Sequence, residues 1–67
     1  METDYYPVPD HSQNTLIDAL CSVGVDNSFS NRRAIADSNG ILDYVGTAIQ
    51  DMAILKLLRS GKLKKNH

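Results

Sequence analysis

A chain of 67 residues is long enough for one domain but too short to bury a large core, so we expect a thin stability margin. The formal charge of −1 and the pI near 6.0 argue against a dedicated nucleic-acid-binding protein, which is normally strongly basic. No apolar run approaches the roughly 18 residues of a membrane span. Cys21 has no second cysteine for a disulfide, and the spacing of Cys21, His11 and His67 does not predict a zinc site.

Residues 1–13 predict an extended arm or linker. Its two prolines restrict φ and push the residues before them toward extended conformations. The segment lacks the basic and apolar regions of a secretion signal, so we expect synthesis in the cytoplasm. Two interpretations of the arm stay open: a disordered tail, or a strap whose Tyr5, Tyr6 and Val8 pack on the helical body or on a partner.

The rest of the chain predicts an all-α fold, a small three-helix bundle over 14–64 with the extended arm before it and a tail at 65–67. The first helix is expected from about Asn14 to Val23, with Thr15 placed to cap it and Gly24 to end it. Its apolar residues recur at three- and four-residue steps and predict a buried face of Leu16, Ile17, Leu20 and Val23.

The second helix is expected over about Phe29 to Ser38, capped by Ser28 and stopped at Asn39 and the following glycine. Arg32 and Arg33 are expected to point away from the core or to extend along its edge. The predicted core residues of this helix are Phe29, Ile35 and Ala36. A connector with Ile41, Leu42 and Tyr44 is expected to pack back onto the core.

The third helix has the clearest signals, because Thr47 and Gln50 have the spacing of a capping box before the run Ala48 to Arg59. This run is apolar nearly all round, which usually means burial on more than one side. One predicted face holds Ala48, Met52, Leu55 and Leu58, with Ile49 and Ala53 to one side and Ile54 and Leu57 further round. Either neighbouring segments wrap this helix, or Ile49, Met52 and Ala53 form an oligomer or partner interface.

No group of residues predicts catalysis. Cys21 is expected to be a small buried hydrophobic residue of the first helix, and the acidic residues are dispersed, mostly at caps and turns. No glycine-rich phosphate-binding loop occurs. The sequence therefore predicts a binding protein and not an enzyme, with no cofactor and no metal.

Several short elements, in order and without insertions, resemble a helical repeat found at the C-termini of peptidoglycan hydrolases of Gram-positive bacteria and their phages. They include LIDAL at 16–20, SFSNR at 28–32, NGI at 39–41, GTA at 46–48 and GKL at 61–63. The resemblance covers about residues 5–64. It implies a non-catalytic module that anchors an endolysin or amidase to the cell wall, which a chain without a secretion signal would reach through lysis.

The same resemblance implies a cell-wall polymer as the ligand, contacted by polar or aromatic residues near the turns. The candidate contacts are Arg32, Asn39, Tyr44, Thr47 and Gln50. Four of these have an evident structural role as caps, turns or core, whereas Arg32 has none that the sequence reveals. The chain departs from such repeats at Ile49, Met52 and Ala53, where polar residues are commoner. This departure favours a homo-oligomer, or a separate subunit docked on a catalytic hydrolase chain.

Two alternatives belong to other classes of protein. The segment NRRAIADSNGI at 31–41 has the look of the first helix and turn of a helix-turn-helix DNA-binding protein. The would-be recognition helix, however, is apolar where base-reading polar residues should lie, and the net charge is wrong for DNA. The second alternative is a small adaptor or inhibitor that grips one protein partner through the apolar third helix.

Overall fold

The computed structural model describes residues 4–10, 12 and 14–65. Within these residues the chain forms three helices, α1 (Leu16–Ser22), α2 (Phe29–Ser38) and α3 (Ala48–Arg59). The predicted all-α three-helix bundle is confirmed. None of the described helices is long and apolar enough to cross a membrane. The two ends of the chain, both histidines and position 13 of the predicted arm lie outside the described residues.

The helices begin where side-chain hydroxyls can cap them. Thr15, Ser28 and Thr47 each have extended backbone and accept a hydrogen bond from the amide three residues ahead. In α3 the Gln50 side chain bonds back to the Thr47 amide and completes the predicted capping box. Because Thr15 occupies the cap position, α1 starts at Leu16 and not at Asn14, and it ends at Ser22, one residue before the predicted Val23.

All three helices end in the same way, with a glycine at positive φ after the C-cap residue. These glycines are Gly24 (φ 73°), Gly40 (φ 79°) and Gly61 (φ 72°). In each case the amide after the glycine bonds to a carbonyl in the last helical turn, which is the Schellman arrangement. The three bonds join Val25 to Leu20, Ile41 to Ala36 and Lys62 to Leu57 at 2.9, 2.8 and 2.9 Å.

The core lies where α1 and α3 meet α2 and the segment after α3. Its fully buried large side chains are Leu20, Ile35, Ile54, Leu58 and Leu63. The predicted face of α3 is therefore partly wrong: Leu55 and Leu58 are buried, but Ala48 is exposed and Met52 is 69% exposed. The buried row runs through Ile54 instead, since the neighbouring helices meet α3 on that side.

Three other expected core residues lie largely at the surface. Ile17 is 45% exposed, Phe29 is 46% exposed and Cys21 is exposed. Helix α1 has only seven residues and buries one row, in which Ala19 takes the place expected of Ile17. Ile17 and Cys21 are four residues apart and therefore share the opposite side of this short helix.

Residues 4–10 of the arm form a strap, so the disordered-tail interpretation does not hold for them. The Tyr6 amide donates to the Leu63 carbonyl (2.9 Å) and the Lys65 amide donates to the Asp4 carbonyl (2.7 Å). Tyr5 and Lys64 form an isolated antiparallel bridge between these bonds. The strap therefore fastens the segment after α3, which carries the fully buried Leu63, to the body of the domain.

Side chains of the strap contribute unequally to packing. Tyr6 packs against the core and Pro9 is buried, whereas Tyr5 and Val8 remain largely exposed. A methyl group built on Gly61 would lie 3.3 Å from a methyl carbon of Val8, so the strap passes close to the end of α3. The glycine that ends α3 also makes room for the strap.

Candidate binding site

A partly buried polar network joins the start of α2 to the start of α3. The Arg32 guanidinium donates through Nη1 to the Tyr44 hydroxyl (3.0 Å) and to Asp51 (3.3 Å). Its Nε donates to the Asn27 carbonyl (3.2 Å). Arg32 therefore has three hydrogen-bond partners, and its guanidinium also lies 5.8 Å from the centre of the Phe29 ring, although the sequence suggested no structural role for it.

Tyr44 is the centre of this network and is 5% exposed. Burial raises the pKa of Tyr44 to about 12, and the hydrogen bond that its hydroxyl donates to Asp51, with the charge of that carboxylate, adds to the effect. The Arg32 charge opposes this shift. The hydroxyl therefore stays protonated at neutral pH and donates to Asp51 throughout the physiological range.

Gln50 holds the connector between α2 and α3 in place. Its Oε1 accepts from the Val45 amide (3.0 Å) and the Thr47 amide (3.3 Å), and its Nε2 donates to the Asp43 carbonyl (3.1 Å). Asp43 has a φ of 57°, a conformation that Asp and Asn adopt more readily than most residues. The connector is thus pinned on both sides of Tyr44.

The structure brings four of the five predicted ligand contacts together around this connector: Arg32, Tyr44, Thr47 and Gln50. Asn39 lies apart from them. Its side-chain amide donates to the carbonyls of Ile35 (2.8 Å) and Lys64 (3.0 Å), and its oxygen accepts from the Lys64 amide (2.8 Å). All five side chains make hydrogen bonds within the domain, and their contact with a ligand stays a prediction.

An open groove that the sequence did not predict lies in front of the connector. It runs between α2 and residues 41–45 and has a volume of about 820 Å³. Phe29, Leu42 and Val45 line it with largely exposed apolar side chains. We term this feature the α2 groove. In the sequence, the α2 groove is indicated by two apolar residues, Ile41 and Leu42, that directly follow the end of α2.

Three charged side chains also line the α2 groove: Arg33, Asp37 and Asp43. All three residues are exposed, and none of their side chains forms a hydrogen bond or ion pair with the described part of the chain. Arg33 and Asp37 are four residues apart on α2, a spacing that permits an ion pair, yet they do not form one. The groove therefore presents both signs of charge beside apolar surface.

The second open surface is the side of α3 opposite the core. Ile49 is 82% exposed and Met52 is 69% exposed. They border a shallow depression of about 560 Å³ together with Ala53, Lys56 and Ser60. We term this surface the α3 face.

The described residues hold no arrangement that points to catalysis. Cys21 is exposed, and among the residues that the structure describes no group of three His, Cys, Asp or Glu side chains could hold a metal ion. His11 is outside the described residues.

Comparison with known proteins connects the chain to a phage peptidase. The chain is 40% identical over 58 residues to an L-alanyl-D-glutamate peptidase of Listeria phage A118. The match covers 84% of this chain and 21% of that protein, so the chain spans about a fifth of the length of the curated relative it matches. No protein-family model and no solved structure matches the chain. The match supports the relationship to phage hydrolases that the repeat resemblance implied, without showing the repeat family itself.

Proposed function

We propose that this chain is a non-catalytic module that binds the bacterial cell wall and targets a phage endolysin to it. The observation that carries the proposal is the extent of the match, which takes in most of this chain and about a fifth of a phage peptidase. A segment of that size, folded around its own core, is what a module attached to a larger enzyme requires. The L-alanyl-D-glutamate bond in the relative's name occurs in the peptides of peptidoglycan, which makes the wall the natural target.

The shape of the domain supports binding over catalysis. Its polar side chains around the connector are used to cap α3 and to fix the connector, and the α2 groove and the α3 face are open. An enzyme needs reactive groups held in a fixed constellation, usually within a cleft that excludes water. In this proposal the module reaches the wall after lysis, and the catalytic groups belong to a hydrolase chain or domain with which it acts.

Wall binding is tested with a fluorescent fusion of the whole chain and purified walls stripped of protein. We expect saturable labelling of Listeria walls, since the relative comes from a Listeria phage. The control is the same fusion with Ile54→Asp, which places an unpaired charge at a fully buried position and should abolish labelling together with the fold. Labelling no stronger than that of the fluorescent protein alone would reject this function.

We also propose that copies of the chain associate through the α3 face. Ile49 and Met52 leave a contiguous apolar surface, and the small Ala53 beside them lets two helix backbones approach closely. A second copy offers the same apolar chemistry, and the formal charge of −1 gives little repulsion between copies. Linked modules would gain avidity for a repetitive wall polymer through effective concentration.

Analytical ultracentrifugation tests this association. We expect the wild-type chain to sediment as an oligomer at high micromolar concentration and an Ile49→Lys variant to sediment as a monomer. The matched control is Ile17→Lys, which places the same charge on an exposed isoleucine of α1, outside the α3 face, and should leave the oligomer intact. A wild-type chain that stays monomeric over this range would refute self-association.

A further inference from the structure

We infer that the α2 groove binds a short peptide that carries both a carboxylate and an ammonium group, namely the stem peptide of peptidoglycan. This inference rests on the proposed wall-binding function and deepens it by naming the part of the wall that is bound. It is carried by three properties of the groove: its size and apolar lining, its unpaired charges of both signs, and the network that fixes its connector wall.

The size and lining of the groove suit a small peptide. Its volume of about 820 Å³ lies in the range of pockets that hold small ligands. Leu42 is 67% exposed and Val45 is 68% exposed, and the half-exposed ring of Phe29 lies beside them. Three large apolar side chains left in one open groove are available for the methyl and methylene groups of a ligand.

The charges of the groove select the kind of ligand. Arg33 offers a planar guanidinium that can hold a carboxylate through two hydrogen bonds. Asp37 and Asp43 offer carboxylates to an ammonium group. One cation against two anions makes the groove a poor site for a polymer of phosphates alone, but it complements a peptide that has a glutamate carboxylate and a diamino-acid side chain.

The connector wall of the groove is fixed before any ligand arrives. Gln50 bonds to the Val45 amide and to the Asp43 carbonyl, one on each side of the buried Tyr44. Gly46 has a φ of 83°, and a methyl group built on it would lie 3.4 Å from the Phe29 ring. Val45 and Asp43 are therefore held beside Phe29, which lowers the entropy cost of binding a small ligand.

Nuclear magnetic resonance titration of the ¹⁵N-labelled chain tests the inference. The probe is the tripeptide N-acetyl-L-alanyl-γ-D-glutamyl-L-lysine, in which the lysine amine is the one ammonium group, compared with the same tripeptide acetylated on the lysine amine. We expect saturable shifts in α2 and at 41–45 with the free amine, and about tenfold weaker binding after acetylation. Arg33→Gln and the pair Asp37→Asn with Asp43→Asn should weaken binding of the free tripeptide by a similar factor, since asparagine keeps the backbone preference of Asp43.

The matched control is Lys62→Gln, which removes one exposed cation outside both the α2 groove and the α3 face and should leave the affinity unchanged. Absence of saturable shifts at millimolar tripeptide, or equal affinity for the acetylated form, would overturn the inference. Mild base removes the D-alanyl esters of wall polymers. If this treatment abolishes binding to walls, the ligand is an esterified polymer and the inference is overturned.

If the chain binds walls but not the tripeptide, the peptide site is rejected and the wall-binding function is retained. If the chain binds the tripeptide in the groove but does not bind walls, the wall-targeting function is rejected and the peptide site is retained.

Discussion

Replacing Ile54 with alanine is expected to lower the free energy of unfolding by about 3 to 4 kcal/mol. Ile54 is fully buried in α3 and belongs to the core cluster with Leu20 and Leu58. The loss combines the transfer free energy of the removed methyl and methylene groups with the cavity they leave. A chain of 67 residues has a total stability on the order of 3 to 10 kcal/mol, so this one change removes a large part of it.

The matched control is Ile49→Ala, five residues earlier on the same helix. Ile49 is 82% exposed, and the loss is expected to stay within about 0.5 kcal/mol for the monomer. Urea unfolding followed by circular dichroism at low protein concentration measures both variants. If the α3 face joins two copies, Ile49→Ala should also remove the rise of melting temperature with protein concentration. Equal losses for the two isoleucines would contradict the burial of α3 described above.

Helix bounds were the part of the fold that could be predicted most closely, because caps and stops act over a few residues. Ser28 and Thr47 each sit at the cap that the sequence assigned to them. The repeated glycine stop likewise depends on backbone conformation within one turn. The small errors at α1 arise from the same local chemistry, since Thr15 cannot both cap the helix and lie inside it.

The orientation of each helix was harder to predict, because periodicity identifies an apolar stripe without saying which neighbour covers it. Helix α1 has two turns, and its apolar residues fit more than one face. Helix α3 is apolar on opposite sides, so Met52 and Ile54 were equally plausible core residues from the sequence. Only the packing of α1 and the segment after α3 decides that Ile54 is buried and Met52 is exposed.

The candidate site was harder still to predict from the sequence, because it depends on contacts between residues far apart in the chain. Arg32 and Asp51 are 19 residues apart in the chain, and no local pattern pairs them. The α2 groove likewise exists only because the connector folds back beside Phe29, where Arg33 and Asp43 come to line the same depression. The sequence identified the region of the connector, but it assigned ligand contact to residues that the structure uses as its framework.

Replacing Arg32 with alanine is expected to cost about 2 to 3 kcal/mol of stability. The change removes hydrogen bonds to Tyr44, Asp51 and the Asn27 carbonyl, and it leaves the largely buried carboxylate of Asp51 without its cation. Arg32→Lys should retain part of this stability, because it keeps the charge and loses the planar fork. Thermal unfolding of the two variants measures the difference.

Arg33, next to Arg32 in the chain, provides the matched control. It distinguishes a residue that stabilises the fold from one that contacts the ligand. Arg33 is exposed and has no hydrogen bond or ion pair within the described residues, so Arg33→Ala should change the free energy of unfolding by no more than about 0.5 kcal/mol. At a temperature where circular dichroism shows both alanine variants folded, the expected order is reversed for binding: Arg33→Ala loses more affinity for the tripeptide than Arg32→Ala does. The opposite result, with a folded Arg32→Ala that no longer binds, would return Arg32 to the ligand-contact role that the sequence suggested. Arg32 and Arg33 are adjacent, but Arg32 belongs to the polar network and Arg33 lines the α2 groove. Comparing their variants therefore shows which side of the connector contacts the wall.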